Sequence, residues 1–164
     1  MPSAEGLFAR HHRDLVRYFA RMTGRPDEAD DLAQEVFVRV VRALQNGGPV
    51  GHERGWVFAI ARNLVVDRHR HEQRQVPIVD DVEPTTGATQ GIGLDLEQSI
   101  AHLPVPEREA FLLKEVGGLS YDEIGAACEC TADSVRARLH RARMALRQML
   151  DPLGTRTIRS APTP

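Results

Sequence analysis

The stretch that decides the fold runs from residue 119 to residue 150 and reads LSYDEIGAACECTADSVRARLHRARMALRQML. Ser120 precedes Glu123 with the Ser-x-x-Glu spacing of a capping box, which marks the start of a helix. Apolar positions continue this short helix to Cys128, a turn follows, and a second helix is predicted over residues 132–150. Two short helices joined by a tight turn are typical of a helix-turn-helix, whose second helix enters the major groove of DNA.

The second of these helices is predicted to bury one face and to expose a basic one. Its inward-facing apolar residues are expected to be Val135, Leu139, Ala142, Leu146 and Met149. Phosphate contacts set the register on DNA, while side chains near the start of the recognition helix reach base edges. The candidate DNA contacts of this helix are therefore Ser134, Arg136, Arg138, Arg141 and Arg143. The alternative interpretation is a solvated basic helix that binds no nucleic acid.

Charge is distributed unevenly along the chain, although the formal net charge is only −2. Residues 76–98 contain five acidic residues and no Lys or Arg, whereas residues 134–164 contain seven Arg against a single Asp. Arginine is well suited to bidentate contacts with phosphate and guanine. The excess of Arg over Lys has an alternative explanation in the codon bias of a GC-rich genome, but the clustering favours a nucleic-acid partner.

Helical spacing of apolar residues predicts three longer helices before this motif, over residues 5–22, 26–44 and 54–71. Shorter helices are predicted over residues 94–103 and from residue 106 to about 116, and no strand is predicted. The apolar stripe of the third long helix is expected to contain Trp56, Val57, Ile60, Ala61, Leu64 and Val65. Its opposite side and C-terminal end are expected to carry Arg62, Arg68, Arg70 and Arg74.

Composition divides the chain into two small helical domains, so the predicted fold class is all-α. Residues 75–93 contain Pro, Gly and Thr without a helical period, which is the composition of a mobile acidic linker. We predict a bundle of three or four helices over residues 1–74, a linker over residues 75–94 and a helix-turn-helix domain over residues 95–150. Residues 151–164 are predicted to form a mobile tail.

Length and composition exclude several classes of protein. A chain of 164 residues with 41% hydrophobic and 27% charged residues has the balance of a folded soluble protein. No stretch approaches the ~18 apolar residues of a membrane span, and the N-terminus lacks the apolar core of a signal peptide. We therefore expect no membrane insertion and a cytoplasmic location.

Catalysis, metals and cofactors are not expected from the residue pattern. Cys128 and Cys130 are too close for an ordinary structural disulfide and have no second Cys or His pair nearby, although a redox or metal role is a minor alternative. Histidines at adjacent or alternate helical positions do not share a face, which is poor ligand geometry. The histidines concerned are His11, His12, His69 and His71. The sequence therefore predicts a protein that is not an enzyme.

Motifs in both predicted domains resemble bacterial sigma-70 family RNA polymerase sigma factors of the extracytoplasmic-function (ECF) group. Similarity to region four of that family is carried by residues 103–113, 119–125 and 134–143. Similarity to region two is carried by LVRY at residues 15–18, DEADDLAQEVF at residues 27–37 and WVFAIARNLVVD at residues 56–67. The motifs follow the family's order and together cover residues 5–74 and 95–150.

The resemblance implies a two-domain initiation factor that binds core RNA polymerase and directs it to promoters, with no catalytic chemistry or cofactor of its own. Region two is implied to read and melt the minus-ten element, and region four to read the minus-thirty-five element. Region two is implied to dock on the clamp helices of the largest polymerase subunit, and region four on the flap region. An anti-sigma factor that holds the protein inactive is a further implied partner.

The resemblance also implies roles for individual residues. The implied contacts with the clamp helices are Asp31, Gln34 and Glu35, while Phe37 is expected in the core. The implied contacts with the minus-ten element are Asn46, His52, Trp56, Arg62, Asn63 and Arg68. Extruding a base costs roughly a few kcal/mol and requires a polar pocket, a role that the loop of residues 46–54 could fill. The alternatives are packing for Trp56 and bracing of the fold for Arg62 and Asn63.

Two positions depart from the family pattern. Asp133 stands where glycine is common before the recognition helix, and Cys128 replaces a larger aliphatic residue. A carboxylate favours a helix N-terminus but repels a nearby phosphate. We therefore expect an altered docking angle or an altered base preference.

Two other functions fit part of the sequence. A helix-turn-helix transcriptional regulator that acts without core polymerase would need neither the motif of residues 31–37 nor the helix that contains Trp56. A helical protein that sequesters other factors without touching DNA would not need the seven arginines of the C-terminal segment.

Overall fold

The structure, a computed structural model, describes residues 2–49, 52–75 and 95–152. Within these ranges it consists of seven α-helices without a β-strand, which confirms the predicted all-α fold. The helices are α1 (Ala4–Thr23), α2 (Pro26–Gln45), α3 (Glu53–Gln75), α4 (Leu96–His102), α5 (Val105–Glu115), α6 (Tyr121–Cys128) and α7 (Ala132–Leu150). Residues 76–94 of the predicted linker and residues 153–164 of the predicted tail lie outside the described residues.

Most helix ends lie where local sequence signals predict them, but α3 continues to Gln75, beyond the predicted end at His71. The added turn consists of good helix formers, and the Glu72 carboxylate lies 3.6 Å from the guanidinium of Arg68 one turn earlier. Pro77 follows, and a proline disfavours the helical conformation in the residue before it.

The first three helices form the N-terminal half, residues 2–49 and 52–75, around a buried aromatic cluster. The ring centroid of Tyr18 lies 5.4 Å from that of Phe19 and 5.7 Å from that of Phe58, both edge to face. Phe58 is fully buried although it lies outside the predicted stripe of α3. Its ring packs against Tyr18 of α1, and α3 as a whole contacts α1, α2 and α6.

The remaining helices form the C-terminal half, residues 95–152, in which α7 packs against α4, α5 and α6. The predicted inward face of α7 is confirmed, with Met149 half-buried and the others fully buried: Val135, Leu139, Ala142 and Leu146.

Local hydrogen bonds define the start of α6 and the turn between α6 and α7. The predicted capping box is present, since Oγ of Ser120 accepts from the N–H of Glu123 at 3.1 Å and the Glu123 carboxylate accepts from the Ser120 N–H at 3.0 Å. Glu129 ends α6 in the left-handed region, with φ of 57°. The N–H of Cys130 then donates to the carbonyl of Gly125 at 2.9 Å, which draws the turn back onto α6.

The two halves pack against each other, which the sequence did not predict. Helix α1 contacts α4 and α5, and α3 contacts α6. The surfaces predicted to contact nucleic acid therefore lie in one packed unit, with some of their side chains at the contact between the halves.

Candidate nucleic-acid interface

The predicted recognition helix, α7, begins at a capped N-terminus. Oγ1 of Thr131 accepts from the N–H of Ser134 at 3.1 Å, and the Thr131 hydroxyl lies 3.0 Å from the Ser134 hydroxyl. These bonds fix the first turn, where a recognition helix meets base edges. Arg138 is half-buried, and the exposed arginines predicted to contact DNA are Arg136, Arg141 and Arg143.

Arg136 is held in place by two neighbours. Its guanidinium donates to the Asp133 carboxylate at 2.9 Å and lies 5.5 Å from the ring centroid of Tyr121. The ammonium group of Lys114 lies over the same ring at 5.3 Å. The negative charge of Asp133 is thus matched by Arg136 within the first turn of α7, which reduces its repulsion of a nearby phosphate.

The other arginines of α7 differ in their partners. Arg141 donates to Glu107 at 2.9 Å, and Arg143 lies 3.7 Å from Glu115, so both connect α7 to α5. In the part of the chain that the structure describes, Arg138 makes no ion pair. Arg141 and Arg143 each engage one of their five N–H donors in this way and keep the others available, and Arg138 differs in having no carboxylate partner.

The predicted contacts near the loop before α3 lie in three different environments. Asn46 is exposed and caps the end of α2, where its N–H donates to the carbonyl of Ala43 at 3.1 Å. His52 is exposed and lies 3.7 Å from the Glu123 carboxylate of the C-terminal half. Trp56 is half-buried and packs against the core, which agrees with the packing alternative.

The predicted contacts on α3 do not share one face. Asn63 is exposed, on the same side as three further exposed residues at helical spacing: Asp67, Arg70 and Arg74. Arg68 donates to Glu28 at 3.0 Å, and Arg62 donates to Glu109 of the C-terminal half. Arg70 and Arg74 are not among the predicted contacts, although their spacing of seven and eleven residues from Asn63 indicates that they share its face.

The predicted polymerase contacts lie together on the exposed face of α2. Asp31, Gln34 and Glu35 are all exposed. The side-chain amide of Gln34 donates to the Asp30 carboxylate at 3.0 Å, and the Glu35 carboxylate lies 3.7 Å from the guanidinium of Arg39. These contacts orient the side chains of Gln34 and Glu35 while leaving them exposed to solvent. Phe37 is half-buried on another side of the helix, with its ring centroid 5.0 Å from that of Phe8.

Comparison with known proteins identifies the family. Sigma-70 region 2 matches residues 7–75, and sigma-70 region 4 matches residues 93–146. The ECF RNA polymerase sigma factor SigC of Mycobacterium tuberculosis is 32% identical over 155 residues, which cover 90% of this chain and 83% of SigC. The chain belongs to the ECF group of the sigma-70 family. The ECF RNA polymerase sigma factor SigE of Mycolicibacterium smegmatis is 35% identical over 98% of this chain, which spans 66% of the length of SigE.

Two solved structures resemble this one over most of the chain. The sigma factor RpoE from Bartonella quintana, in complex with the anti-sigma factor NepR, is 25% identical with a TM-score of 0.67, over 84% of this chain and 89% of RpoE. CnrH, in complex with the cytosolic domain of CnrY, is 26% identical with a TM-score of 0.67, over 92% of this chain and 89% of CnrH. Sigma factors are transcription initiation factors and not enzymes, as the sequence predicted for this chain.

A buried polar cluster lies where the two halves of the sigma factor meet. Tyr18 is fully buried, and burial and the nearby Glu109 carboxylate raise the pKa of its phenol well above 10.0. Burial lowers the pKa of Arg62, but its hydrogen bond and charge interaction with Glu109 outweigh burial, so the net pKa is raised. Arg62 therefore stays cationic and Tyr18 neutral at neutral pH.

Cys128 borders this cluster, and its environment suppresses thiol chemistry. Both cysteines are free, and burial together with the Glu109 charge raises the pKa of the Cys128 thiol to about 12. The reactive form of cysteine is the thiolate, so this shift argues against a redox or metal role for Cys128.

Alkylation should distinguish the two cysteines. At pH 8 we expect Cys128 of the folded protein to react ~1000-fold more slowly than in the unfolded chain, because its thiolate fraction falls by about that factor. Cys130 is half-buried and should react first. Time-resolved iodoacetamide labelling with peptide mass spectrometry measures both rates, with a denatured sample as the control. Equal labelling rates of the two folded cysteines would contradict the assigned environment.

No group of three or more His, Cys, Asp or Glu side chains that could hold a metal ion occurs in residues 2–49, 52–75 and 95–152. None of the helices in those same ranges has the length and apolar character needed to cross a bilayer.

Proposed function

We propose that this chain binds core RNA polymerase and directs initiation at specific promoters. The observation that supports this most strongly is the presence of both sigma regions in one chain, each with an exposed polar face: α2 in the first and α7 in the second. A regulator that acts without polymerase would have no use for region 2. We further propose that the domains are residues 1–74 and 95–150, joined by a linker over residues 75–94 and followed by a tail over residues 151–164.

Region 4 is proposed to read the minus-thirty-five element through the first turns of α7. The capped N-terminus and the exposed cationic side favour insertion into the major groove. The proposed contacts are Ser134, Arg136, Arg138, Arg141 and Arg143. Arg136 is the best candidate for a base contact, because Asp133 and Tyr121 hold its guanidinium in one orientation. Region 4 is also proposed to dock on the polymerase flap.

Region 2 is proposed to read and melt the minus-ten element. The proposed contacts are Asn46, His52, Trp56, Arg62, Asn63 and Arg68. The loop at Asn46 contains Gly47 and Gly48 with φ of 120° and 77°, a backbone conformation that favours glycine. Asn63 and the exposed arginines on its side of α3 would then hold the separated strand.

The face of α2 is proposed to bind the clamp helices of the largest polymerase subunit. Asp31, Gln34 and Glu35 are exposed on neighbouring turns, so one partner helix can reach all three. An anti-sigma factor is a further proposed partner, because the similar sigma factor RpoE was solved in complex with the anti-sigma factor NepR.

Transcription with purified core polymerase tests the proposal. Core polymerase with and without this chain is incubated with a fragmented library of the source genome, and transcript starts are sequenced. We expect new starts that share two spaced upstream motifs. Binding to DNA without binding to core polymerase would instead support the regulator, and binding to neither would overturn the proposed function.

Charge reversal on α2 should separate polymerase binding from DNA binding. We expect Glu35→Lys to weaken binding to core polymerase about tenfold, because it places a like charge where the partner would present a cation. Glu5→Lys, which reverses another exposed carboxylate, on α1, is the control and should bind as the unmodified chain does. Fluorescence titration of labelled protein with core polymerase gives both affinities. Equal affinities for the two variants would exclude this face of α2.

A further inference from the structure

A cleft of about 470 Å³ lies where α1, α2, α3 and α5 come together. Its walls are formed by the last turn of α1, the first turns of α2, the C-terminal part of α3 and the start of α5. Pockets that hold small molecules have volumes of roughly 300–1,000 Å³ and occur preferentially where two folded units meet. The cleft therefore has the size and the position of a small-molecule site.

Five apolar side chains line the cleft. Met22 of α1 and Leu32 of α2 are buried, and Val65 and Val66 of α3 are half-buried. Val105, the first residue of α5, is 54% exposed although its side chain is apolar. A ligand that covered these valines would remove aliphatic surface from water, which is favourable. The cleft thus offers apolar contacts to the body of a ligand.

The cleft is also lined by five arginines and three glutamates, and its carboxylates are all paired within it. Two of the carboxylates lie between the same two guanidinium groups, at distances from 3.0 to 3.6 Å, and the third accepts from one guanidinium. The paired residues are Arg25 and Arg68 with Glu28 and Glu72, and Arg62 with Glu109. Three of the five arginines therefore have carboxylate partners, and two do not.

The two arginines of the cleft without a carboxylate partner are Arg70 of α3 and Arg108 of α5. Arg70 is exposed and makes no ion pair within the residues that the structure describes. Arg108 donates to four backbone carbonyls, one of which is that of Met22 at 3.1 Å. Carbonyls carry only partial negative charge, and burial lowers the pKa of Arg108. With His69 neutral, the lining of the cleft therefore has an excess of two positive charges.

We propose that the cleft binds a small amphipathic anion, whose apolar body contacts the aliphatic walls and whose single carboxylate, sulfonate or phosphate group lies against Arg70 and Arg108. A guanidinium forms strong charge-assisted hydrogen bonds to such a head group. A neutral ligand would leave both positive charges unmatched, and a nucleic-acid strand would leave the aliphatic walls in water. This inference does not rest on the proposed function, because binding is measured without polymerase or promoter.

Titration of the full chain with 8-anilinonaphthalene-1-sulfonate (ANS) tests the site. N-phenyl-1-naphthylamine, which has the same ring system without the sulfonate, is the neutral comparison. A well-placed ligand of about twenty non-hydrogen atoms binds with a Kd on the order of 10 µM, and we expect ANS fluorescence to saturate accordingly. The neutral dye should bind at least ~5-fold more weakly, because it lacks the charge-assisted hydrogen bonds.

Two matched pairs of variants separate the head-group contact from the apolar contact. Arg70→Gln should weaken ANS binding ~5- to 10-fold without changing binding of the neutral dye. Arg74→Gln makes the same change one turn further along α3, outside the cleft, and should change neither. Val105→Ser should weaken binding of both dyes ~3-fold, whereas Val38→Ser, at an exposed valine of α2 outside the cleft, should weaken neither. Circular dichroism verifies that helix content is unchanged.

Competition decides which ligand class the cleft accepts. Decanoate should displace ANS, and decanol at the same concentration should not. Absence of saturable ANS binding, or binding that Arg70→Gln and Val105→Ser leave unchanged, would overturn the site. Equal affinity for the two dyes would overturn the requirement for an anion. Displacement of ANS by a single-stranded oligonucleotide of about ten nucleotides but not by decanoate would assign the cleft to the nucleic-acid surface and overturn the proposal.

Discussion

Replacement of Gly125 by valine is expected to disrupt the helix-turn-helix and to lower the free energy of unfolding by about 3 kcal/mol or more. A Cβ at this position would lie 2.7 Å from the carbonyl oxygen of Cys130, closer than real Cβ contacts allow. The obstacle is backbone, so it cannot rotate aside. Because the Cys130 N–H is bonded to the Gly125 carbonyl at 2.9 Å, the turn cannot move away without losing that bond.

Ala126→Val is the matched control for this prediction. Ala126 is exposed on the same helix, so Ala126→Val adds the same β-branched side chain without the close approach. It also loses helix propensity, which Gly125→Val does not, so a larger destabilisation by Gly125→Val cannot come from propensity. Urea denaturation followed by circular dichroism compares the two variants. Unfolding of both variants at the same urea concentration would contradict the close approach of Gly125 to the carbonyl of Cys130. The Gly125 variant should also lose initiation that depends on the minus-thirty-five element.

Arg136→Ala and Arg138→Ala are each expected to weaken binding to the minus-thirty-five element by ~1–3 kcal/mol, or about 5- to 150-fold. Arg136 is oriented by Asp133 and by the ring of Tyr121, so its loss should relax the preference for one base pair. Arg138 has no ion pair in the described ranges and is free to take either a base or a phosphate.

Arg147→Ala is the matched control, since Arg147 is exposed in the last turn of the same helix. Fluorescence anisotropy at fixed salt, with a set of duplexes that differ at single base pairs, measures the losses. A loss of equal size on every duplex would identify a phosphate contact, and no loss relative to Arg147→Ala would contradict a role in reading the element. The salt is held constant because phosphate contacts weaken as salt increases.

Several features of the molecule could be predicted because they depend on neighbouring residues alone. The capping box at Ser120 and Glu123, the proline at the start of α2 and the buried face of α7 all follow from short-range spacing. Each of these features is determined by residues within a few turns of one helix, through hydrogen bonds to the local backbone and through the spacing of apolar side chains.

Features at the contact between the halves could not be predicted in this way. Arg62 is paired because α3 also meets the C-terminal half, and this second contact surface breaks the single-stripe pattern that periodicity detects. The sequence placed Arg62 on a basic outer face, whereas its partner Glu109 lies 47 residues further along the chain.

The sequence by itself therefore determined the helices, the helix-turn-helix and membership of the sigma-70 family, since these rest on local spacing and on motifs in a set order. The tertiary structure alone decided which cationic side chains are exposed and which are paired. The physical reason is that an arginine finds its carboxylate or carbonyl partner through space, and the packing of two helical units brings together residues that no sequence period connects.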